Sequence, residues 1–132
     1  MGDYAWPGIV SSLALLVYYF TLFKAGMARG RFKVPAPSHD GPEEYLRYVR
    51  AHQNTLEHLA IFLPSMWLFS SYVSVGWASV LGAVWIAARI WYGIEYAREG
   101  GKRGPGFGLS FAAVAILLVG AIIGIIAAMV RS

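Results

Sequence analysis

The sequence predicts an all-α, integral-membrane four-helix bundle running up-down-up-down. Three observations carry that reading. Of 132 residues, 58% are hydrophobic and only 14% charged, where a soluble domain carries about a quarter charged. Residues 4–23, 59–88 and 107–130 contain no Asp, Glu, Lys or Arg, and a bilayer core needs roughly twenty apolar residues per helix. The charges gather instead at two of the three connections.

The elements follow in order. A first helix is expected over about residues 6–27, with Trp6 as an interfacial anchor and Pro7 in the first turn. "ARGRFKVPAPSHDGPEE" then holds three prolines and two glycines and reads as a loop. Asp40 or Gly41 is placed to cap a second helix over about residues 42–73, with Pro42 at its first turn, Glu43 and Glu44 suited to its dipole, and Pro64 a kink point. That helix is longer than a crossing, so its first two or three turns are expected in the headgroup zone or the cytoplasm. "SVGW" is a short turn. A third helix is expected over about residues 78–98. "EGGKRGPGFG" is a glycine-rich connection, and a fourth helix covers about residues 107–129, its small residues suited to close packing. The whole chain, residues 1–132, reads as one domain without internal repeats.

Charge sets the expected topology. Lys24, Arg29, Arg31, Lys33, Arg47 and Arg50 flank the first connection, and Arg98, Lys102 and Arg103 lie at the third. The positive-inside rule puts both on the cytoplasmic side, with both termini opposite. An N-terminal signal peptide is not expected, because Asp3 stands where a basic n-region belongs and the apolar run is too long. Basic residues confined to membrane-edge loops give no nucleic-acid face. No cysteine is present, which excludes disulfides, thiolate metal sites and a cysteine nucleophile; no metal site is expected.

"RAHQNTLE", residues 50–57, opens an apolar run with polar groups. At about 100° per residue, Arg50, Asn54 and Glu57 share one face of the second helix, within roughly 60° of one another. His58 sits at the edge of that stripe, and His52 points nearly the other way. On the third helix Arg89, Tyr92 and Tyr96 share a face, with Glu95 at its flank. Ionisable groups cost roughly 2.5–3.5 kcal/mol each at a helix centre and normally face a bundle interior or a cavity. A plain structural network would pair Arg50 with Glu57 through Asn54, and Arg89 with Glu95. The functional alternative is a site for a small ligand bearing both charges and amides, opening toward the basic edge: arginines for carboxylates, Glu57 for an ammonium, Asn54 and the tyrosines for amides. A peptide-like metabolite such as glutathione has that set of groups.

These blocks resemble the family of membrane-associated proteins in eicosanoid and glutathione metabolism (MAPEG). "RAHQNTLE" is similar to the helix-2 signature of its microsomal glutathione transferases, the type 3 members in particular. "ARIWYGIEYA", residues 88–97, resembles the family's A-R-x-x-Y-x-x-x-Y-A, and "KRGPGFG" stands where the family has its loop arginine. The resemblance implies a homotrimer with glutathione held between subunits near the cytoplasmic side. It implies that Arg50, Asn54, Glu57, Tyr92 and Tyr96 contact the tripeptide, and that Arg29 and His52 reach it from the adjoining subunit. Arg103 matches the arginine that holds the glutathione sulfur as a thiolate. His58, Arg47 and Arg89 stand beside these as further candidates.

Arg103 has simple physics behind it. A free thiol has a pKa near 8.5 and the thiolate is the nucleophile. A neighbouring cation favours the charged form, and a shift of about two units is worth roughly 2.7 kcal/mol. The resemblance thus implies a membrane-bound glutathione transferase or peroxidase. It would conjugate hydrophobic electrophiles, or reduce lipid hydroperoxides, that arrive from membrane lipid along a groove between helices 1 and 4.

Three positions depart from relatives. His58 stands where leukotriene-forming members carry tyrosine, Ala60 where many carry proline, and Gly30 where some carry a second basic residue. The alanine- and glycine-rich makeup without a lysine-rich C-terminal tail suits a bacterial inner membrane, the endoplasmic reticulum being the alternative. A non-catalytic lipid-binding or scaffold member of the same family is the second reading. A four-helix multidrug exporter is the third, and it wants a carboxylate in the middle of the first helix, which has none.

Overall fold

The computed structural model describes residues 3–35, 40–98 and 104–132, and only the backbone of 95–98. It is all-helical: α1 (Ala5–Arg31), α2 (Glu43–Tyr72), α3 (Val75–Arg98) and α4 (Gly104–Arg131). The expected elements are all present, and their ends differ for local reasons.

α1 runs a turn beyond residue 27, and that turn carries Arg29 and Arg31, cations that favour the negative end of the helix dipole. It stops in a Schellman turn. The Val34 N–H donates to the Arg29 carbonyl at 2.9 Å and the Lys33 N–H to the Gly30 carbonyl at 3.3 Å. The turn needs a left-handed residue after the C-cap, and Lys33 fills that place at φ 56° where glycine is usual.

The cap expected for α2 is not the one used. Pro42 occupies the N-cap in extended conformation with no side-chain cap. Its fixed φ already suits the entry to a helix, and neither Asp40 nor Gly41 stands at the capping position. The helix passes continuously through Pro64. α3 begins three residues earlier than expected, because the Ser74 hydroxyl accepts the Trp77 N–H at 3.1 Å, an N-cap bond. α4 also begins early, with Gly104 at φ 61° and Pro105 in the first turn, where its missing N–H costs nothing.

Cross-helix pairs fix the topology. Tyr4 stacks on Trp67, while Arg31, at the far end of α1, reaches Glu44 at the start of α2. Asn54 and Thr55 meet Arg89, and Phe62 stacks on Trp85 with ring centroids 4.3 Å apart. His58 meets Phe107, and Phe69 borders Gly120. The helices therefore run up, down, up and down. α2 and α3 form the short diagonal of a rhombus, with α1 and α4 at opposite corners that do not touch within the described residues.

The core lies on the diagonal: Trp85, Phe62, Met66 and Leu117 are fully buried, with Ala14 and Ala121 filling the gaps. In lipid, close packing rather than exclusion of water holds helices together. Small residues supply it. A Cβ on Gly106 would lie 2.6 Å from the Tyr92 backbone nitrogen and 2.9 Å from the Ala88 carbonyl oxygen, so α4 seats directly against the α3 backbone. A second cluster of Ala28, Val34, Tyr45 and Val49 closes the α1–α2 connection.

Among the described residues, three helices are long and apolar enough to cross a membrane: α1, α3 over Val75–Ile94, and α4. α2 does not meet that standard, although at 30 residues and about 1.5 Å per residue it has the length. Its first half carries Glu43, Glu44, Arg47, Arg50 and Glu57, so it is the polar member of the bundle.

Candidate functional site

α2 offers its polar groups to two places. Arg50 and Glu57 lie on the surface of the chain, while Asn54 between them is half-buried. The pairing of Arg50 with Glu57 through Asn54 does not occur. Arg50 instead donates to Glu43, two turns back, at 2.7 Å. Glu57 meets no partner among the described residues and stays exposed. Asn54 turns inward, its side-chain oxygen accepting a bond from Arg89 Nη2 at 2.9 Å.

Arg89 is the structural centre of the site. It is 2% exposed. The same Nη2 also donates to the Thr55 hydroxyl at 2.8 Å, and the guanidinium lies 4.2 Å from the centre of the Tyr92 ring. Hydrogen bonds from a charged donor are worth about 1.5–3 kcal/mol each, and a desolvated cation over an aromatic face adds about 2. Arg89 thus joins α2 to α3 at the level where the polar stripe enters the bundle. Among the described residues the acceptors of Arg89 are neutral; the side chain of Glu95, the partner expected from charge spacing, lies outside the described residues.

Tyr92 is buried and faces Phe107 with centroids 5.9 Å apart. His58 packs edge-on against Phe107 and Phe111, so in this structure it is a member of the α2–α4 contact. His52 is half-buried. Arg29 donates to the Pro35 carbonyl at 3.3 Å and sits 6.0 Å from the Tyr45 ring. Arg47 lies with Arg89 along a groove between α1 and α3. Arg103 and the side chain of Tyr96 lie outside the described residues, but Gly104, which follows Arg103, opens the helix whose first turn rests on Tyr92.

The structure therefore brings Asn54, Arg89 and Tyr92 together, and leaves Arg50 and Glu57 presenting opposite charges on one outer face. Sequence spacing missed two participants. Thr55 shares the load of Arg89, a role visible only once α3 is docked. Glu43 holds Arg50, and its spacing of seven residues, two helical turns, was the available signal.

An integral-membrane helical bundle with an arginine-centred polar site at one end is the class these features define. The chain belongs to the MAPEG family, whose model matches residues 7–123. It is 40% identical to an uncharacterized protein of Synechocystis over 92% of this chain and 88% of that one. It is 34% identical to mouse microsomal glutathione S-transferase 2, over 94% and 84%. It is also 34% identical to bovine leukotriene C4 synthase, over 86% and 75%.

Proposed function

We propose that this protein is a membrane-bound glutathione transferase, with glutathione-dependent peroxide reduction as a second activity of the same thiolate. The observation that carries the reading is the outer face of α2. Arg50 and Glu57, two helical turns apart, offer a cation and a carboxylate on one exposed face, and Asn54 is held between them by Arg89. An ionic face on a membrane helix is costly unless it meets a polar partner. A zwitterionic tripeptide supplies carboxylates for arginine, an ammonium for Glu57 and amides for Asn54. The names of the relatives support the choice of glutathione.

The chemistry needs a thiolate, and Arg103 is the residue proposed to favour it. The glutathione S–H loses its proton to solvent, the arginine cation stabilises the sulfur anion, and the sulfur attacks the electrophile. For a halogenated arene, the C–S bond forms and halide leaves. For a hydroperoxide, sulfur takes the terminal oxygen, the alcohol leaves, and a second glutathione thiol completes the disulfide with release of water.

Assembly enters here. α1 and α4 do not meet within one chain, so the proposed α1–α4 groove for the electrophile requires two copies. The exposed Arg50–Glu57 face likewise suits completion by Arg29 and His52 of a neighbouring copy in a homotrimer. We place the basic end, and with it the site, toward the cytoplasm.

The test is turnover of a chlorinated nitrobenzene and of a lipid hydroperoxide by purified protein, together with calorimetric titration of glutathione. Binding at one site per subunit interface with turnover of either substrate is expected. Absence of both binding and turnover refutes the assignment; binding without thiolate formation points to a non-catalytic member.

A further inference from the structure

Arg50 stands in a column with two carboxylates. Glu43, Arg50 and Glu57 follow one another at intervals of seven residues, so each turns only about 20° from the last and all three share one face of α2. A rise of about 10.5 Å separates Arg50 from either glutamate. The arginine goes to one of them, its Nη1 donating to Glu43 Oε1 at 2.7 Å. Long side chains on a helix lean toward its N-terminus, which favours Glu43 over Glu57. The guanidinium is thereby drawn toward the start of the helix, away from the level of Asn54 and Glu57.

The fold does not depend on this contact. The two side chains are 51% and 63% exposed, and both belong to one helix. The neighbouring pair is different, because Arg31 and Glu44 join α1 to α2. An exposed ion pair holds two long side chains in one geometry for little net gain. Glu43 is favoured where it stands even without Arg50, since it lies in the first turn of α2, where the helix dipole suits a carboxylate. Arg89 gives the contrast: it is buried and fixed by the neutral side chains of Asn54 and Thr55. Glu43 is an exchangeable anion, and it sits on the arginine offered to a ligand.

We propose that Glu43 is an internal competitor for the ligand carboxylate at Arg50, and so sets the affinity of the site for glutathione. This rests on the glutathione reading of the α2 face. A carboxylate arriving at Arg50 either displaces Glu43 or shares the guanidinium with it. Glu43 opposes it in both cases, by occupancy in the first and by like charge in the second. A carboxylate that engages the arginine through two parallel bonds gains more than the Nη1 contact to Glu43 supplies, so the exchange runs forward when ligand is present and back when it leaves. An uncharged thiol has no group to put in the place of Glu43. The contact thus keeps this end of the face neutral until a carboxylate arrives.

The test is calorimetric titration and steady-state turnover of Glu43→Gln in the full-length protein, in neutral detergent at low salt. Glutamine keeps the length of the side chain and removes its charge, while Glu44 keeps a carboxylate in the first turn. Glutathione should bind about two- to fivefold more tightly, the factor that an exposed ion pair represents. KM for glutathione should fall by a similar factor, with kcat changing less. Glutathione diethyl ester, which retains the thiol and ammonium and has both carboxylates blocked, should show no gain. The gain should also vanish in an Arg50→Gln background, where the pair no longer exists. If the unaltered protein binds no glutathione, the functional reading itself falls. If it binds, and folded Glu43→Gln protein has the same or weaker affinity, the present inference alone is overturned. An equal gain for the diester, or a gain that persists without Arg50, overturns it as well. So does a lowered unfolding temperature with KM unmoved, which would make the pair a structural contact only.

Discussion

Two glycines two residues apart on α4 should respond oppositely to the same methyl group. At Gly106 the added Cβ lies 2.6 Å from the Tyr92 nitrogen and 2.9 Å from both the Ala88 carbonyl oxygen and the Tyr92 Cα. All three are backbone atoms and cannot swing aside. Ordinary contact begins near 3.4 Å, so α4 must move off α3 by the better part of an ångström. Overpacking of that kind costs about 1–3 kcal/mol, against which the helix propensity of alanine returns at most about 1 kcal/mol. Gly108 meets nothing within 4 Å, and there the propensity gain stands alone. Gly106→Ala should therefore lower the thermal unfolding temperature in detergent, by on the order of 5 °C for about 1–2 kcal/mol net, and Gly108→Ala should hold or raise it. Because α4 follows directly on Arg103, Gly106→Ala should also depress glutathione turnover, whereas Gly108→Ala should not. Differential scanning fluorimetry of the two variants side by side is the assay. Equal stability for both would refute the claim that α4 is seated on the α3 backbone.

Other residues give contrasting expectations. Asn54→Ala removes an acceptor from buried Arg89 and should destabilise by about 1.5–3 kcal/mol, measured by the same unfolding assay. Glu57→Gln, at an exposed position, should leave stability unchanged and weaken glutathione binding in calorimetry. Lys33→Gly relieves a left-handed residue in the turn after α1 and should stabilise by about 1 kcal/mol, seen as a higher unfolding temperature with the helix content intact. Arg103→Ala removes the cation proposed to favour the thiolate, so the thiol pKa rises toward its free value near 8.5. The pH–rate curve should then move to higher pH, with turnover falling more than affinity; an unmoved curve counts against the role of Arg103.

The bundle was legible because its information is compositional. Uncharged runs, proline-rich breaks and basic edges mark helices in a membrane without reference to tertiary contacts. The helix ends were less so. The left-handed position after α1 is filled by Lys33, not the glycine that would have marked it, and α3 gains its first turn from the hydroxyl of Ser74, a residue that also suits a turn. Helical spacing correctly put Arg50, Asn54 and Glu57 on neighbouring positions, but spacing cannot say which of them turns inward. That was settled by α3, whose Arg89 takes Asn54 and leaves the two charges outside. For the same reason the charge pairs read from one helix at a time were wrong for Arg50, whose partner is Glu43. His58 drew notice as a polar residue, and its place is an aromatic contact with α4.

The polarity of α2 bears on how the chain enters a membrane. Three of the helices can partition into lipid on their own merits, while α2 carries a charged first half that resists it. Its route is as one arm of a hairpin, α1 with α2 or α2 with α3, so that Arg89 meets Asn54 and Thr55 as the pair leaves the insertion machinery. A chain stalled after α2 should then be extractable by alkaline carbonate more readily than one extended through α3. The residues that hold the site together would in that case also time the moment at which the second helix becomes a resident of the bilayer.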